Sequence, residues 1–162
     1  ARPVALKYRA LGEIAVFVMF GPLMVSGAYF VQTGAFSSRV VWISVPFGIF
    51  VALVLLANNI RDIGLDGQAG IHTIATFLGG TRSARVYQFF VLLPYVLIGG
   101  MVATGLLSAF TFLTLLSLPL AFKLMGMFRR GVPADADART AKLDAVFGGL
   151  LILGIQLERL CR

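Results

Sequence analysis

Asn59, Asp62 and Asp66 stand at i, i+3 and i+7 in the run Asn58-Asn59-Ile60-Arg61-Asp62-Ile63-Gly64-Leu65-Asp66. A helix turns about 100° per residue, so these three positions fall within an arc of about 60°. If the helix persists through them, three oxygen-bearing side chains share one face. Carboxylates four residues apart with an amide oxygen beside them suit a hard divalent cation. Mg²⁺ is commonly held by one or two carboxylates, keeps several waters and recruits substrate phosphates. An Asp-rich helix end therefore points to a metal-bridged diphosphate. Arg61 and His72, with Lys7 and Arg9 from the segment before the first apolar run, offer positive or donor groups to the same anion. A plainer assignment stays open, in which Asn58 and Asn59 satisfy loose carbonyls where a helix stops and Arg61 and Asp62 are solvated loop charges.

The setting makes such a cluster expensive. Of 162 residues, 59% are apolar and 13% charged, and the mean hydropathy is +0.92. Globular chains run near 45–50% apolar and about 25% charged, so soluble enzymes, disordered tails and disulfide scaffolds are excluded. Cys161 is the single cysteine, which leaves no internal disulfide and no Cys-rich metal site. At roughly 20 residues per helical crossing, the length allows about five spans and one membrane domain. Strands are a poor alternative, because the apolar runs lack a period of two and an open sheet edge cannot face hydrocarbon.

The predicted architecture is an all-α, multi-pass transmembrane bundle with spans at about 12–31, 40–57, 86–105, 107–127 and 143–157, and a motif loop at 58–85. Gly105-Leu106-Leu107-Ser108 reads as a tight helical hairpin. The last span is short unless Gln156 and Glu158 sit at its far interface. Pro22, Pro46, Pro94 and Pro119 fall inside spans and predict kinks, and the 18 glycines predict close helix packing.

Charge gives independent support. Of the 14 basic residues, 11 lie on one side: Arg2, Lys7, Arg9, Arg61, Arg82, Arg85, Lys123, Arg129, Arg130, Arg139 and Lys142. The other side holds Arg39, Arg159 and Arg162. The positive-inside rule then puts the motif loop in the cytoplasm, in a multi-pass protein of the cell (inner) membrane. The net charge of +7 is absorbed by topology and by membrane lipid headgroups, with no nucleic acid as partner.

Other residues have simpler expected roles. Glu13, near the same interface, is expected to pair with Lys7 or Arg9. Tyr8 suits an interfacial anchor or a cavity wall, and Trp42 and Tyr29 suit the aromatic belt of the opposite interface. Asp135-Ala136-Asp137, in a Gly-Pro-Ala-rich loop, reads as solvated charge.

The string Asn58-Asn59-Ile60-Arg61-Asp62-Ile63-Gly64-Leu65-Asp66, followed by Ala69-Gly70, Thr73-Ile74-Ala75 and Leu78-Gly79, resembles the second Asp-rich motif of UbiA-type membrane prenyltransferases. It is most similar to the 1,4-dihydroxy-2-naphthoate polyprenyltransferase (MenA-like) branch. The entry segment Leu6-Lys7-Tyr8-Arg9-Ala10-Leu11-Gly12-Glu13, with Phe20-Gly21-Pro22-Leu23-Met24 and Tyr29-Phe30-Val31-Gln32-Thr33, resembles the fifth span of that branch. The resemblance implies the last five of nine spans, the first Asp-rich motif lying before Ala1 in an N-terminal half of the same enzyme. Asp62 and Asp66, with Asn59, would then form half of a Mg²⁺ site for polyprenyl diphosphate, with Asn58, Arg61, Lys7, Arg9 and His72 toward substrate. One departure is local: Ile71 stands where the family usually has Lys.

The expected function is transfer of a polyprenyl group from its diphosphate to an aromatic quinone precursor, with 1,4-dihydroxy-2-naphthoate of menaquinone synthesis as acceptor. The segment alone is expected to be inactive. A CDP-alcohol phosphatidyltransferase also places aspartates at a helix mouth, but Asp66-Gly67 is followed by Gln68-Ala69-Gly70 without that family's Arg. A transport or assembly subunit would show polar residues at mid-membrane depth in several spans, whereas here they gather at one helix mouth.

Overall fold

The computed structural model describes residues 11–161; Lys7, Tyr8 and Arg9 lie outside them. Five helices are long and apolar enough to cross a membrane: Gly12–Thr33, Ser38–Arg61, Gly80–Ala103, Ala109–Arg130 and Ala136–Leu160. Among the described residues there is no strand. Hydrocarbon offers backbone groups no hydrogen-bond partner, so each crossing must satisfy its own, and an apolar helix does so. Two short helices, Ile63–Gln68 and Ile74–Leu78, form the loop between the second and third spans.

The second span is the hub, packed against the first, third and fifth. Lipid gives no hydrophobic drive between helices, so close approach must come from small residues. A Cβ on Gly21 would lie 2.8 Å from the Cα of Gly48, and one on Gly48 would lie 2.8 Å from the carbonyl of Phe17. The first two spans thus cross almost backbone to backbone. At that crossing the first span widens into a π-helical turn, Met19–Leu23, around Pro22, where the missing N–H interrupts the α-helical ladder. Pro46 and Pro94 are accommodated within continuous helices.

The fourth span departs from the plain α-helix expected. It begins as a nine-residue 3₁₀-helix, Ala109–Ser117, and becomes α-helical at Leu118, with Pro119 in the first turn. Ser108, Thr111, Thr114 and Ser117 recur every third residue, the 3₁₀ repeat. Each later hydroxyl donates to the carbonyl three residues back, at 2.7, 2.8 and 2.7 Å. These ladder bonds satisfy hydroxyls that are fully buried. The fifth span packs on this ladder at Gly154, where an added Cβ would stand 2.7 Å from the carbonyl of Phe110.

Aromatic rings fill the centre. Phe147 meets Phe50 at 5.0 Å and Tyr95 at 5.3 Å. Each buried tyrosine finds a hydroxyl partner: Tyr87 with Thr140 at 2.6 Å, and Tyr95 with Ser117 at 2.7 Å. The expected hairpin is present, turning through Gly105 at φ 73°, a conformation glycine adopts without strain.

Gly154→Ala is expected to destabilise the protein by about 1–3 kcal/mol, because backbone rather than a movable side chain meets the new methyl. Gly149→Ala, on the same helix with nothing within 4 Å of the added atom, is expected to be neutral or slightly stabilising. Thermal unfolding in mild detergent compares the two.

Candidate functional site

The motif occupies a break between helices. The second span ends at Arg61, Asp62 takes φ −96° and ψ 10°, and the chain resumes as the helix Ile63–Gln68. The uninterrupted helix assumed from the spacing is therefore corrected at Asp62. Continuity survives in one bond, from the Asp66 amide to the Asp62 carbonyl at 2.8 Å. Gly64 and Gly67 fall in this short helix, which is capped further by the Ile71 amide donating to the Asp66 carbonyl at 2.8 Å.

Arg61 is the centre of the cluster. Its Nε donates to Asp62 Oδ1 at 2.9 Å and an η-nitrogen to Asp62 Oδ2 at 3.0 Å. The same η-nitrogen reaches the Asn58 side-chain oxygen. The other contacts Asp137 Oδ1 at 3.0 Å and the Ala134 carbonyl at 3.2 Å. The plainer alternative for Arg61, a solvated loop charge, leaves these contacts out, and Asp137, expected to be solvated charge, is one-third exposed and ion-paired to Arg61. That carboxylate lies in the first turn of the fifth span, Ala136–Leu160, and fastens it to the motif. Asp135 behaves differently: it accepts from Arg139 Nε at 2.6 Å, and that guanidinium holds its carboxyl below the usual carboxylate range.

Asn59 points elsewhere. It is buried, and its Nδ2 donates to Glu13 Oε1 at 2.9 Å. The partner of Glu13 among the described residues is thus an amide of the motif, while the expected pairing with Lys7 or Arg9 falls outside them. Asp66 is also buried. His72 is exposed on the loop between the short helices, and no hydrogen bond or ion pair joins it to the Arg61 cluster.

Glu13 also lines an apolar crevice of about 460 Å³ between the first three spans, with Phe17, Ile49, Leu53, Phe90 and Leu93 among its walls. The Glu13–Asn59 bond stands where the crevice meets the motif. One consequence is a site with two chemical halves: oxygen donors and a guanidinium at the helix break, and hydrocarbon walls beneath. Sequence reasoning missed Asp144 of the fifth span, whose Oδ1 is buried without a hydrogen-bond partner among the described residues. An acid inside an apolar run is the signal that marks it.

The donor set suits Mg²⁺ in kind, since Asp62, Asp66 and Asn59 supply hard oxygens and the ion needs only one or two carboxylates beside phosphate. Among the described residues no three acidic, His or Cys side chains form a complete metal cage. The set fits as part of a site that substrate oxygens complete.

A family model described as the UbiA prenyltransferase family matches residues 3–148. The chain belongs to that family. Three relatives carry the name UbiA prenyltransferase domain-containing protein 1. The Danio rerio protein is 38% identical over 154 residues, covering 95% of this chain and 45% of the relative. The Homo sapiens protein is 35% identical over the same length, again 95% and 45%. The Dictyostelium discoideum protein is 31% identical over 158 residues, covering 98% and 48%. The chain thus spans about half the length of the curated relatives it matches. The family assigns membrane prenyl transfer in general, in agreement with five apolar helices and a polar helix mouth.

Glu13→Leu is expected to destabilise by about 1–3 kcal/mol, because it strands the buried Asn59 amide without an acceptor. Glu13→Gln keeps an acceptor oxygen and is expected to cost well under half as much. Thermal midpoints of the two variants in detergent make the comparison.

Proposed function

We propose that this chain is the C-terminal part of a membrane enzyme that moves a polyprenyl group from polyprenyl diphosphate to an aromatic quinone precursor, with 1,4-dihydroxy-2-naphthoate in menaquinone synthesis as the acceptor. The observation that supports this reading is the Glu13–Asn59 bond, which joins a residue lining the apolar crevice to a residue of the Asp-rich motif. An amphiphile with an anionic head and a hydrocarbon tail matches both halves. The motif loop faces the cytoplasm in this reading, because the basic residues gather at its end of the bundle.

Asp62 and Asp66 would hold Mg²⁺, with the side-chain oxygen of Asn59, whose nitrogen is taken by Glu13, assisting, and the ion would neutralise charge on the leaving diphosphate as a Lewis acid. Arg61 keeps Asp62 oriented, with Asn58 fixing it in turn, and would reach phosphate oxygens by exchanging one of these partners for the anion. Lys7 and Arg9 from the entry segment and His72 from the loop supply further positive or donor groups. The allylic carbon–oxygen bond breaks with its electron pair leaving on the diphosphate, and the electron-rich ring attacks the allylic carbon and loses its proton. The crevice walls, Phe17 and Phe90 among them, keep water from the allylic cation. The other carboxylates of the metal site come from the N-terminal half of the same enzyme, so the segment alone is inactive.

In the longer enzyme, Asp62→Ala and Asp66→Ala are each expected to lower turnover by at least a hundredfold, in the range seen when a charge-stabilising group is removed. Product formation is measured in detergent with Mg²⁺, a polyprenyl diphosphate and 1,4-dihydroxy-2-naphthoate. Near-wild-type rates in both variants would reject the metal role. Turnover by residues 1–162 alone, at the rate of the longer protein, would reject the half-site.

A further inference from the structure

A second concavity opens between the fourth and fifth spans, at the same end of the bundle as the motif. It is small, about 110 Å³, and is lined by Lys123 from the fourth span and by Arg139 and Lys142 from the fifth, over Leu120, Leu124 and Leu143. Leu124 and Leu143 are buried. Among the described residues, Arg139 meets one acid, Asp135, through its Nε, and neither Lys123 nor Lys142 forms an ion pair.

Membrane topology accounts for cations at this end but not for their convergence. Arg129 and Arg130 share the end, stand exposed in the last turn of the fourth span, and do not line the concavity. Lys123, by contrast, comes together with Arg139 and Lys142 across a helix–helix seam. Like charges gathered over an apolar floor repel one another, and that repulsion is relieved when an anion sits among them. A cationic rim above leucines, at interfacial depth between two spans, has the polarity of a phospholipid turned inside out. Basic pockets between membrane helices hold anionic headgroups in this way.

We propose that this concavity binds the headgroup phosphate of an anionic phospholipid, at a site separate from the Asp-rich motif. Lys123 and Lys142 hold the phosphate oxygens from opposite helices. Asp135 takes Nε of Arg139 and leaves its η-nitrogens for the same anion. Leu120 and Met127, both partly exposed, receive the upper part of an acyl chain. A bound lipid then closes the seam between the fourth and fifth spans, and the fifth span is the one that Asp137 ties to Arg61.

The test uses the full-length protein in detergent, with native mass spectrometry counting retained phosphatidylglycerol or phosphatidylcholine. Wild type is expected to retain phosphatidylglycerol in preference to phosphatidylcholine. Lys123→Gln with Lys142→Gln removes two charge-assisted phosphate contacts and is expected to weaken retention roughly thirtyfold. Arg129→Gln with Arg130→Gln removes the same charge outside the concavity and is expected to change retention by less than about threefold. Lys142→Gln alone, at an exposed position, carries the test with a roughly fivefold loss should the double variant fail to fold. Equal losses in the two double variants would reduce the effect to diffuse attraction and overturn the site. Unchanged retention after Lys142→Gln would do the same. Displacement of the lipid by millimolar inorganic phosphate would assign the pocket to free phosphate and overturn the lipid.

Discussion

The guanidinium of Arg61 is the joint on which the motif end of this bundle depends. A planar fork with five donors can face two directions at once, and here it grips both oxygens of Asp62 on one side and Asp137 with the Ala134 carbonyl on the other. The helix break at Asp62 is therefore fixed to the first turn of the fifth span. Without that tie, a break followed by a six-residue helix would have little to hold its direction, since isolated short helices are marginal. Lysine offers a single ammonium and cannot reproduce the two-sided grip. The electrostatic result matters as much. Two carboxylates, Asp62 and Asp137, face one guanidinium, and the excess negative charge is of the kind that a divalent cation neutralises.

What holds the spans beneath this joint is contact rather than burial from water. Lipid chains are as apolar as leucine, so helices gain little by hiding leucines from them. The structure brings backbones together instead, at Gly21 on Gly48 and at Gly154 on Phe110, and spends its few polar groups on bonds between spans. Tyr87 with Thr140 and Tyr95 with Ser117 both connect helices, each with both partners buried. The 3₁₀ stretch serves the same purpose. A tighter, thinner helix lets the fifth span approach its carbonyls, and the ladder satisfies the hydroxyls of Thr111, Thr114 and Ser117 while it does.

Much of this architecture was legible in the chain, for a reason that also explains the errors. Hydropathy detects residues that tolerate lipid, so all five spans were visible. It does not detect helix that extends beyond lipid, so the third and fifth spans begin at Gly80 and Ala136 rather than near 86 and 143. Asp137 was misjudged for that reason, being charged and helical at once. The pattern Ser108, Thr111, Thr114, Ser117 did spell a period of three, but it was hidden inside an apolar run. In the candidate site, residue types and local spacing singled out Asn59, Arg61, Asp62 and Asp66. Their partners came from distant segments, Glu13 for Asn59 and Asp137 for Arg61, and no local pattern encodes a contact between spans.

The buried Glu13–Asn59 bond also gives the site a direction. It sits at the junction of a polar helix break and a crevice whose other lining residues are apolar. An amphiphile entering tail first buries hydrocarbon against Ile49, Leu53 and Leu93 and keeps its charged head among donors. Entering head first, it would have to strip water from a diphosphate with no hydrogen-bonding group to replace it, a penalty of several kcal/mol for each such group. Orientation is therefore set by desolvation before any shape complementarity is needed. In the proposed reaction the acceptor ring would have to reach the allylic carbon from the side that the tail leaves open. In that reading the polar pair at the head of the crevice limits how deeply the hydrocarbon tail enters.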